Sequence, residues 1–251
     1  MKKFALSLVL FLFHIPLFSS TFHAVVVADT AAEDVRPSAT VDIKKMSLAL
    51  KQIAKASKQK LSLTVLSGSK ATSTALGTWF HKSRVKSHDT LFFYFTGHGF
   101  ASTTQQTIWP NMFFKTKKEI ISMESVHQAL KQKKARLTIL LSDSCNRFGN
   151  TPTFARALSK QPKVKISFSA KKRGLNKLFR KKRGRILASG AVRGTSSYGS
   201  NYGGFFTQAP LLSLQDESHT SKPSWKRVFQ KVNKLLRHAQ QPQHKLYLQK
   251  K

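Results

Sequence analysis

Two side chains in this sequence have the chemistry of a nucleophile and its base. Cys145 is the only cysteine among 251 residues, and the thiolate of cysteine is a strong nucleophile. His98 stands between two glycines, Gly97 and Gly99, which leave its imidazole with little steric cover. An imidazole that takes the proton of a thiol activates the sulfur for attack on a carbonyl carbon. Taken singly, His98 could cap a turn and Cys145 could be a small buried apolar residue.

Both residues follow apolar runs of strand length. Residues 90–99 read TLFFYFTGHG, and residues 137–145 read LTILLSDSC. Runs without polar alternation are typical of strands that are covered on both faces. Because ligands bind at the carboxyl ends of the strands in an open α/β sheet, the pattern predicts that His98 and Cys145 share one edge.

The rest of the chain supplies the elements that such a sheet needs. Residues 23–29 and 61–66 read as strands, and apolar spacing predicts helices over residues 40–58, 71–85 and 123–134. Strands that alternate with helices indicate a parallel α/β sheet with right-handed crossovers. Residues 100–122 are irregular and predict a loop or short hairpin over the site. Residues 225–238 predict an amphipathic helix, followed by an edge strand at 246–248.

The two motifs, YFTGHG and SDSC, resemble those of caspase-like cysteine peptidases, and of the metacaspase branch among them. The histidine of caspases lies ~50 residues before the cysteine, and His98 and Cys145 fit that separation. The resemblance implies a caspase-like α/β sandwich, with a mostly parallel central sheet of about six strands flanked by helices. It also implies a catalytic dyad of His98 and Cys145, with the backbone N–H groups of Gly99 and Cys145 as oxyanion donors.

The resemblance further implies a pocket for a basic side chain. Asp143 falls where metacaspases carry an acidic residue that binds the P1 side chain of the substrate, the residue before the cleaved bond. Asp42 resembles an aspartate that starts the first helix and lines the same pocket; it could equally be a charge that interacts with the helix dipole. The sequence departs from the family just after the nucleophile, where Asn146, Arg147 and Phe148 replace His-Ser-Gly.

The amino terminus predicts export. Residues 1–20 combine a basic start with an apolar stretch that is interrupted by His14 and Pro16, which is typical of a secretory signal peptide. The expected location is periplasmic or extracellular, and an uncleaved membrane anchor is the alternative. Residues 21–251 then form one peptidase domain. It divides into a part like the large caspase subunit (21–170), a basic linker loop (171–185) and a part like the small subunit (186–251).

The charge of the chain is extreme, with 44 Lys and Arg against 10 Asp and Glu and a formal net charge of +34. Such a bias predicts attraction to polyanions, whether nucleic acid or an anionic membrane, although no specific nucleic-acid motif is present. It could also reflect a lineage with a basic proteome. We expect no cofactor, and no ligand cluster typical of calcium or another metal is evident.

Two functions follow. The first is a secreted cysteine endopeptidase that cleaves protein or peptide substrates after Arg or Lys and that clips itself in the basic loop 171–185. The second is a caspase-fold protein whose site has decayed and whose basic surface binds polyanions. The departure at Asn146–Phe148 favours the second function, and the presence of both His98 and Cys145 favours the first.

Overall fold

A computed structural model describes residues 20–149, 155–156 and 168–249 as alternating strands and helices. The signal-peptide prediction falls on residues 1–20, of which all but Ser20 lie outside the described part. The strands are β1 Thr21–Ala28, β2 Lys60–Ser67, β3 Thr90–Thr96, β4 Gly99–Phe100, β5 Asn111–Phe114, β6 Glu119–Ser122, β7 Leu137–Asp143, β8 Ala155–Arg156, β9 Gly184–Ser189, β10 Tyr198–Ser200, β11 Gly203–Gly204 and β12 Gln243–Leu248. The α-helices are α1 Arg36–Ala56, α2 Ser73–Lys82, α3 Met123–Gln132, α4 Lys172–Phe179, α5 Phe205–Ser218 and α6 Trp225–Leu236.

A six-stranded sheet forms the centre of the molecule, in the order β12-β9-β7-β3-β1-β2. Its neighbouring strands run parallel except for β12, which pairs antiparallel with β9 at one edge. The order places β3 and β7 side by side in the middle. The predicted α/β class, the mostly parallel sheet of six strands and the flanking helices are therefore confirmed.

Helices cover both faces of this sheet. One apolar core contains residues of α1, α4, α5 and α6, and the other contains residues of α2 and α3. Strand β3 contributes to both cores, because Phe92 and Tyr94 point into the first and Phe93 and Phe95 into the second. This two-sided burial explains why its sequence is an unbroken apolar and aromatic run.

Two small sheets lie outside the central sheet. Strands β4, β5 and β6 form an antiparallel sheet, so the predicted hairpin over residues 100–122 is confirmed. Strand β10 pairs with β8 and with β11 in the second small sheet. Both sheets adjoin the carboxyl ends of the central strands, because β4 follows β3 directly and β10 follows β9.

The expectation of a mobile basic loop over residues 171–185 is wrong. Most of that stretch is α4, and Leu175, Leu178 and Phe179 on its inner face are buried in the core. The lysines and arginines of α4 lie on its outer face or at its ends, so the high charge of the sequence concealed an amphipathic helix. Only residues 180–183 connect α4 to β9.

Candidate active site

The predicted nucleophile and base lie at the same edge of the central sheet. Thr96, at the end of β3, is the register partner of Asp143, at the end of β7. His98 and Cys145 each come two residues later. The backbone N–H of Gly97 continues the pairing by donating to the carbonyl oxygen of Asp143 at 3.2 Å. The two loops that carry the imidazole and the thiol therefore leave the sheet side by side.

Gly99 brings the two loops into direct contact. A Cβ atom built on Gly99 would lie 2.6 Å from the carbonyl oxygen of Cys145 and 2.7 Å from the Cβ of Ser144. Only a residue without a side chain allows this approach. The backbone segments of Gly99 and Cys145, whose N–H groups the family resemblance assigns to the oxyanion, are thus neighbours.

His98 is held by two carboxylates. Its Nδ1 lies 3.1 Å from Oδ2 of Asp29, and its Nε2 lies 2.9 Å from Oδ2 of Asp34. Burial by itself would lower the pKa of His98, but the hydrogen bonds and negative charges of Asp29 and Asp34 outweigh it, so that the pKa is raised. A carboxylate at each ring nitrogen favours the imidazolium, in which both nitrogens can donate.

Cys145 is fully buried, and a segment that follows β9 covers it. Its thiol donates to the carbonyl oxygen of Ser197 at 3.4 Å. The next residue, Asn146, binds the same segment through its backbone, donating to Thr195 at 2.9 Å and accepting from Gly194 at 2.7 Å. The predicted nucleophile is therefore covered by protein in this structure.

Asp42 and Asp143 lie together beside this site, as the resemblance implies. Gly204 lies against both carboxylates, since a Cβ atom built there would overlap Oδ2 of Asp143 and lie 3.1 Å from Oδ2 of Asp42. Protein groups bind both side chains. Asp42 accepts from the N–H of Gly204 at 2.9 Å and from the hydroxyl of Thr96 at 3.0 Å. Asp143 accepts from Ser197 Oγ at 2.6 Å and from the N–H of Thr207 at 2.7 Å.

The environment of this pair favours the protonated form. Burial raises the pKa of Asp42 to about 8, and the charge of Asp143 adds to the effect. Burial also raises the pKa of Asp143, against the hydrogen bonds from Ser197 and Thr207. Two carboxylates in one buried site resist double ionisation. Near neutral pH the pair therefore holds a proton.

The departure from the family at residues 146–148 divides into an inner and an outer part. Asn146 is fully buried and donates through its side chain to the carbonyl oxygen of Ile108 at 2.9 Å, so it joins the loop that carries Cys145 to the loop between β4 and β5. Phe148 is 56% exposed, and the guanidinium of Arg193 lies over its ring at 5.3 Å. Arg147 is also exposed, so the outer part of the departure is an aromatic and basic surface.

Sequence reasoning missed Asp29 and Asp34. Asp29 directly follows the apolar run of β1, as the site residues follow β3 and β7, and this signal could have identified it. Asp34 lies in the turn before α1 and carries no comparable signal. Within residues 20–149, 155–156 and 168–249, no group of three or more His, Cys, Asp and Glu side chains is arranged to hold a metal ion. No helix of the described part has the length and apolarity needed to cross a membrane.

The fold, together with the side chains at the edge where β3 and β7 end, defines a class of protein, the caspase-like α/β peptidases. A family model described as "Caspase domain" matches residues 21–251. Among solved structures, caspase-1 from Spodoptera frugiperda is similar at a TM-score of 0.57 and 11% sequence identity, covering 91% of this chain and 87% of that chain. A comparison with curated protein sequences gives no match.

The chain therefore belongs to the caspase family of cysteine peptidases, as the two motifs predicted. The similarity to the insect caspase extends to the fold. Protein substrates follow from the family.

Proposed function

We propose that this chain is an active cysteine endopeptidase in which Cys145 attacks the substrate carbonyl carbon. In its neutral form His98 takes the thiol proton, and the imidazolium so formed later delivers that proton to the leaving amine. The backbone N–H groups of Gly99 and Cys145 stabilise the oxyanion, a contribution of about 3 kcal/mol per donor in other enzymes. The reaction needs no cofactor. The observation that carries the proposal is the contact of the Gly99 backbone with Cys145, which joins the histidine loop to the nucleophile loop.

The proposed substrates have Arg or Lys at P1. A carboxylate pair is suited to a guanidinium or an ammonium group through charge-assisted hydrogen bonds. Asp42 and Asp143 are buried behind Gly204, and the same segment covers Cys145. Substrate binding therefore requires that residues 195–204 move away from the edge of the sheet. A cationic side chain would then replace the proton that the pair holds.

Hydrolysis of fluorogenic peptides with Arg, Lys, Asp or Ala at P1 tests this function. We expect cleavage of the Arg and Lys peptides and none of the Asp peptide. Cys145→Ala and His98→Ala should remove the activity. His81→Ala is the matched control, because His81 is exposed at the end of α2, and it should leave the rate unchanged. Equal rates for wild type and Cys145→Ala would contradict the proposal, and cleavage of only the Asp peptide would contradict the basic P1 preference.

Self-processing belongs to the same proposal, but α4 restricts where it can occur. A peptidase binds its substrate in an extended form, and residues 172–179 are helical with an inner face in the core. The connection at residues 180–183 is the accessible part of the stretch predicted for cleavage. We expect fragments that end at Arg180, Lys181, Lys182 or Arg183 in wild type and none in Cys145→Ala. Mass spectrometry of the incubated proteins distinguishes these outcomes, and identical intact masses from active wild type would exclude self-processing here.

Export through a cleaved signal peptide completes the proposal. Ser20 is part of the fold, since its carbonyl oxygen accepts from Lys60 N at 3.0 Å and its hydroxyl from Arg180 at 3.3 Å. This favours cleavage before Ser20 over cleavage after it. Sequencing the amino terminus of the secreted protein tests the site. An intact Met1 in the membrane fraction would instead show an uncleaved anchor.

A second candidate function is polyanion binding, and one feature of the surface favours it. A hollow of about 710 Å³ lies between the end of α1 and α4, and it is lined by basic residues with Ala56 and Asn176. The basic residues are Lys55, Lys58, Lys172, Arg173, Lys177, Arg180 and Lys181. This concave surface suits a chain of phosphate groups.

Matched triple variants test whether this hollow is the binding site. Lys172, Lys177 and Lys181 are changed to Gln in one protein, and the exposed Lys115, Lys117 and Lys118 in the control. For binding of labelled polyphosphate in the hollow, the slope of log K against log salt should fall by about 2 in the first protein alone. Equal effects of the two triples would show that the whole basic surface attracts the polymer.

A further inference from the structure

We propose that Asp29 is a positioning residue for His98, and that Asp34 is a displaceable partner that holds the imidazole away from catalysis. This inference rests on the proposed peptidase function and names two residues that control its base. The resting site then contains an imidazolium between a fixed and a movable carboxylate. Catalysis begins when Asp34 releases the ring.

Asp29 has the features of a fixed partner. It is 1% exposed, and its backbone N–H donates to the carbonyl oxygen of Thr96 at 3.0 Å, which extends the pairing of β1 with β3. Gly97, at φ 153°, makes room for its side chain, because a Cβ atom built there would lie 2.6 Å from Cβ of Asp29. Burial and backbone pairing prevent the Asp29 carboxylate from moving away from the ring.

The side chain of Asp29 has little role in the fold outside this contact. Within the described residues, its Oδ1 is buried without a hydrogen-bond partner, while Oδ2 binds His98. A buried, unsatisfied carboxylate oxygen destabilises a fold. The contact with the imidazole of His98 therefore explains why a carboxylate is buried at position 29, as is expected of a residue that serves a functional site.

Asp34 has the features of a movable partner. Its side chain is 58% exposed, although its bond to Nε2 of His98, at 2.9 Å, is the shorter of the two. The turn that carries it is anchored by the side chain of Arg36, which donates to the carbonyl oxygen of Thr30 at 3.0 Å. The backbone therefore stays in place while the exposed carboxylate can rotate into solvent.

The difference between the fixed Asp29 and the movable Asp34 affects how His98 can act as a base. While Asp34 accepts from Nε2, that nitrogen holds a proton and cannot take the proton of the Cys145 thiol. Release of Asp34 removes the charge that holds this proton, so the proton passes to solvent. The neutral Nε2 can then take the thiol proton and later give it to the leaving amine, while Asp29 keeps the ring in its orientation through Nδ1. Among the residues that the structure describes, Asp29 after β1 and Asp34 in the turn are carboxylates that contact the ring, and Cys145 lies on the neighbouring loop. Phe113 of β5 contributes an uncharged aromatic edge.

The test compares Asp29→Asn, Asp34→Asn and the charge-matched control Glu33→Gln, a change of the exposed neighbour of Asp34. NMR titration of the His98 ring measures its pKa without any need for peptidase activity. We expect the pKa to fall in both aspartate variants and to stay unchanged in the control. An unchanged pKa in both aspartate variants would overturn the proposal, whether or not the protein cleaves peptides.

Kinetics then separate the two roles. Asp34→Asn should raise kcat/KM about tenfold near neutral pH, because a larger fraction of the enzyme is competent. Asp29→Asn should lower kcat by about 10²-fold with little change in KM, because the ring loses its orientation. Should Asp29→Asn fail to fold, Asp29→Ala with and without added formate replaces it, and partial rescue by formate supports the positioning role. A loss of activity in Asp34→Asn as large as that in Asp29→Asn would overturn the division of roles.

Discussion

Gly99 and Cys145 meet backbone to backbone, at a distance that excludes a side chain on Gly99. We predict that Gly99→Ala removes activity and destabilises the protein, because its Cβ would lie 2.6 Å from the carbonyl oxygen of Cys145. Peptide hydrolysis and thermal unfolding measure the two effects. Gly77→Ala is the control, since Gly77 lies inside α2 with nothing within 4 Å of a built Cβ. It should stabilise the protein by about 0.5–1 kcal/mol. Full activity of Gly99→Ala would show that the two loops do not form one site.

The buried carboxylate pair predicts a loss of stability with rising pH. The pKa of Asp42 is raised to about 8 in the folded protein, so the folded state holds a proton that the unfolded chain releases above about pH 4. The free energy of unfolding should therefore decline between about pH 4 and pH 8. Asp42→Asn removes the titrating group and should flatten this decline, while Glu33→Gln should not. Urea denaturation at several pH values measures the slope, and identical slopes in wild type and Asp42→Asn would contradict the prediction.

Glu217 predicts the opposite dependence at acid pH. Its side chain is fully buried and accepts from Arg227 Nε and from the backbone N–H of Ser224, both at 2.8 Å. Burial alone would raise the pKa of Glu217, but the bonds to Arg227 and Ser224 outweigh it and lower the pKa. Stability from this group is therefore present above the ordinary pKa of glutamate and lost as the pH falls below it. We expect Glu217→Gln to cost about 1–3 kcal/mol at neutral pH and to weaken this acid dependence.

Asp216→Asn is the control for Glu217, because Asp216 is the exposed neighbour on the same helix. Chemical denaturation at neutral and acid pH provides the comparison. Equal stabilities of the two variants at neutral pH would show that the buried ion pair contributes nothing measurable.

The helical structure of α4 makes a prediction for the segment that the sequence identified as a loop. Leu178 is fully buried in the core, so Leu178→Ala should lower the free energy of unfolding by about 2–5 kcal/mol. Lys172→Ala, at the start of the same helix, should change it by less than about 0.5 kcal/mol. A mobile loop would tolerate both changes equally. Urea denaturation distinguishes these cases.

The sequence was sufficient for the arrangement of the sheet and for placing the loops of His98 and Cys145 side by side at its edge. Unbroken apolar runs that end in small polar residues identify central strands, and parallel strands place their ends together. The proximity of Asp42 to Asp143 followed from the family resemblance. The structure places both carboxylates against Gly204, and their role in substrate binding stays a prediction.

The remaining features depend on tertiary contacts that local patterns do not contain. The charge of residues 171–185 concealed α4, because its amphipathic face consists of only a few apolar residues among many cations. The closure of the site by Ser197 and Gly204 depends on contacts between distant segments. Asp34 reaches His98 from an exposed turn with no motif of its own.

Covalent labelling of the single cysteine tests the central claim most directly. A peptidyl chloromethyl ketone with arginine at P1 is incubated with wild type and with His98→Ala, and mass spectrometry follows the adduct on Cys145. We predict labelling of wild type at a rate at least about 10²-fold above that of His98→Ala, because the imidazole activates the thiol. Equal labelling rates in the two proteins would show that His98 and Cys145 do not act as one catalytic pair.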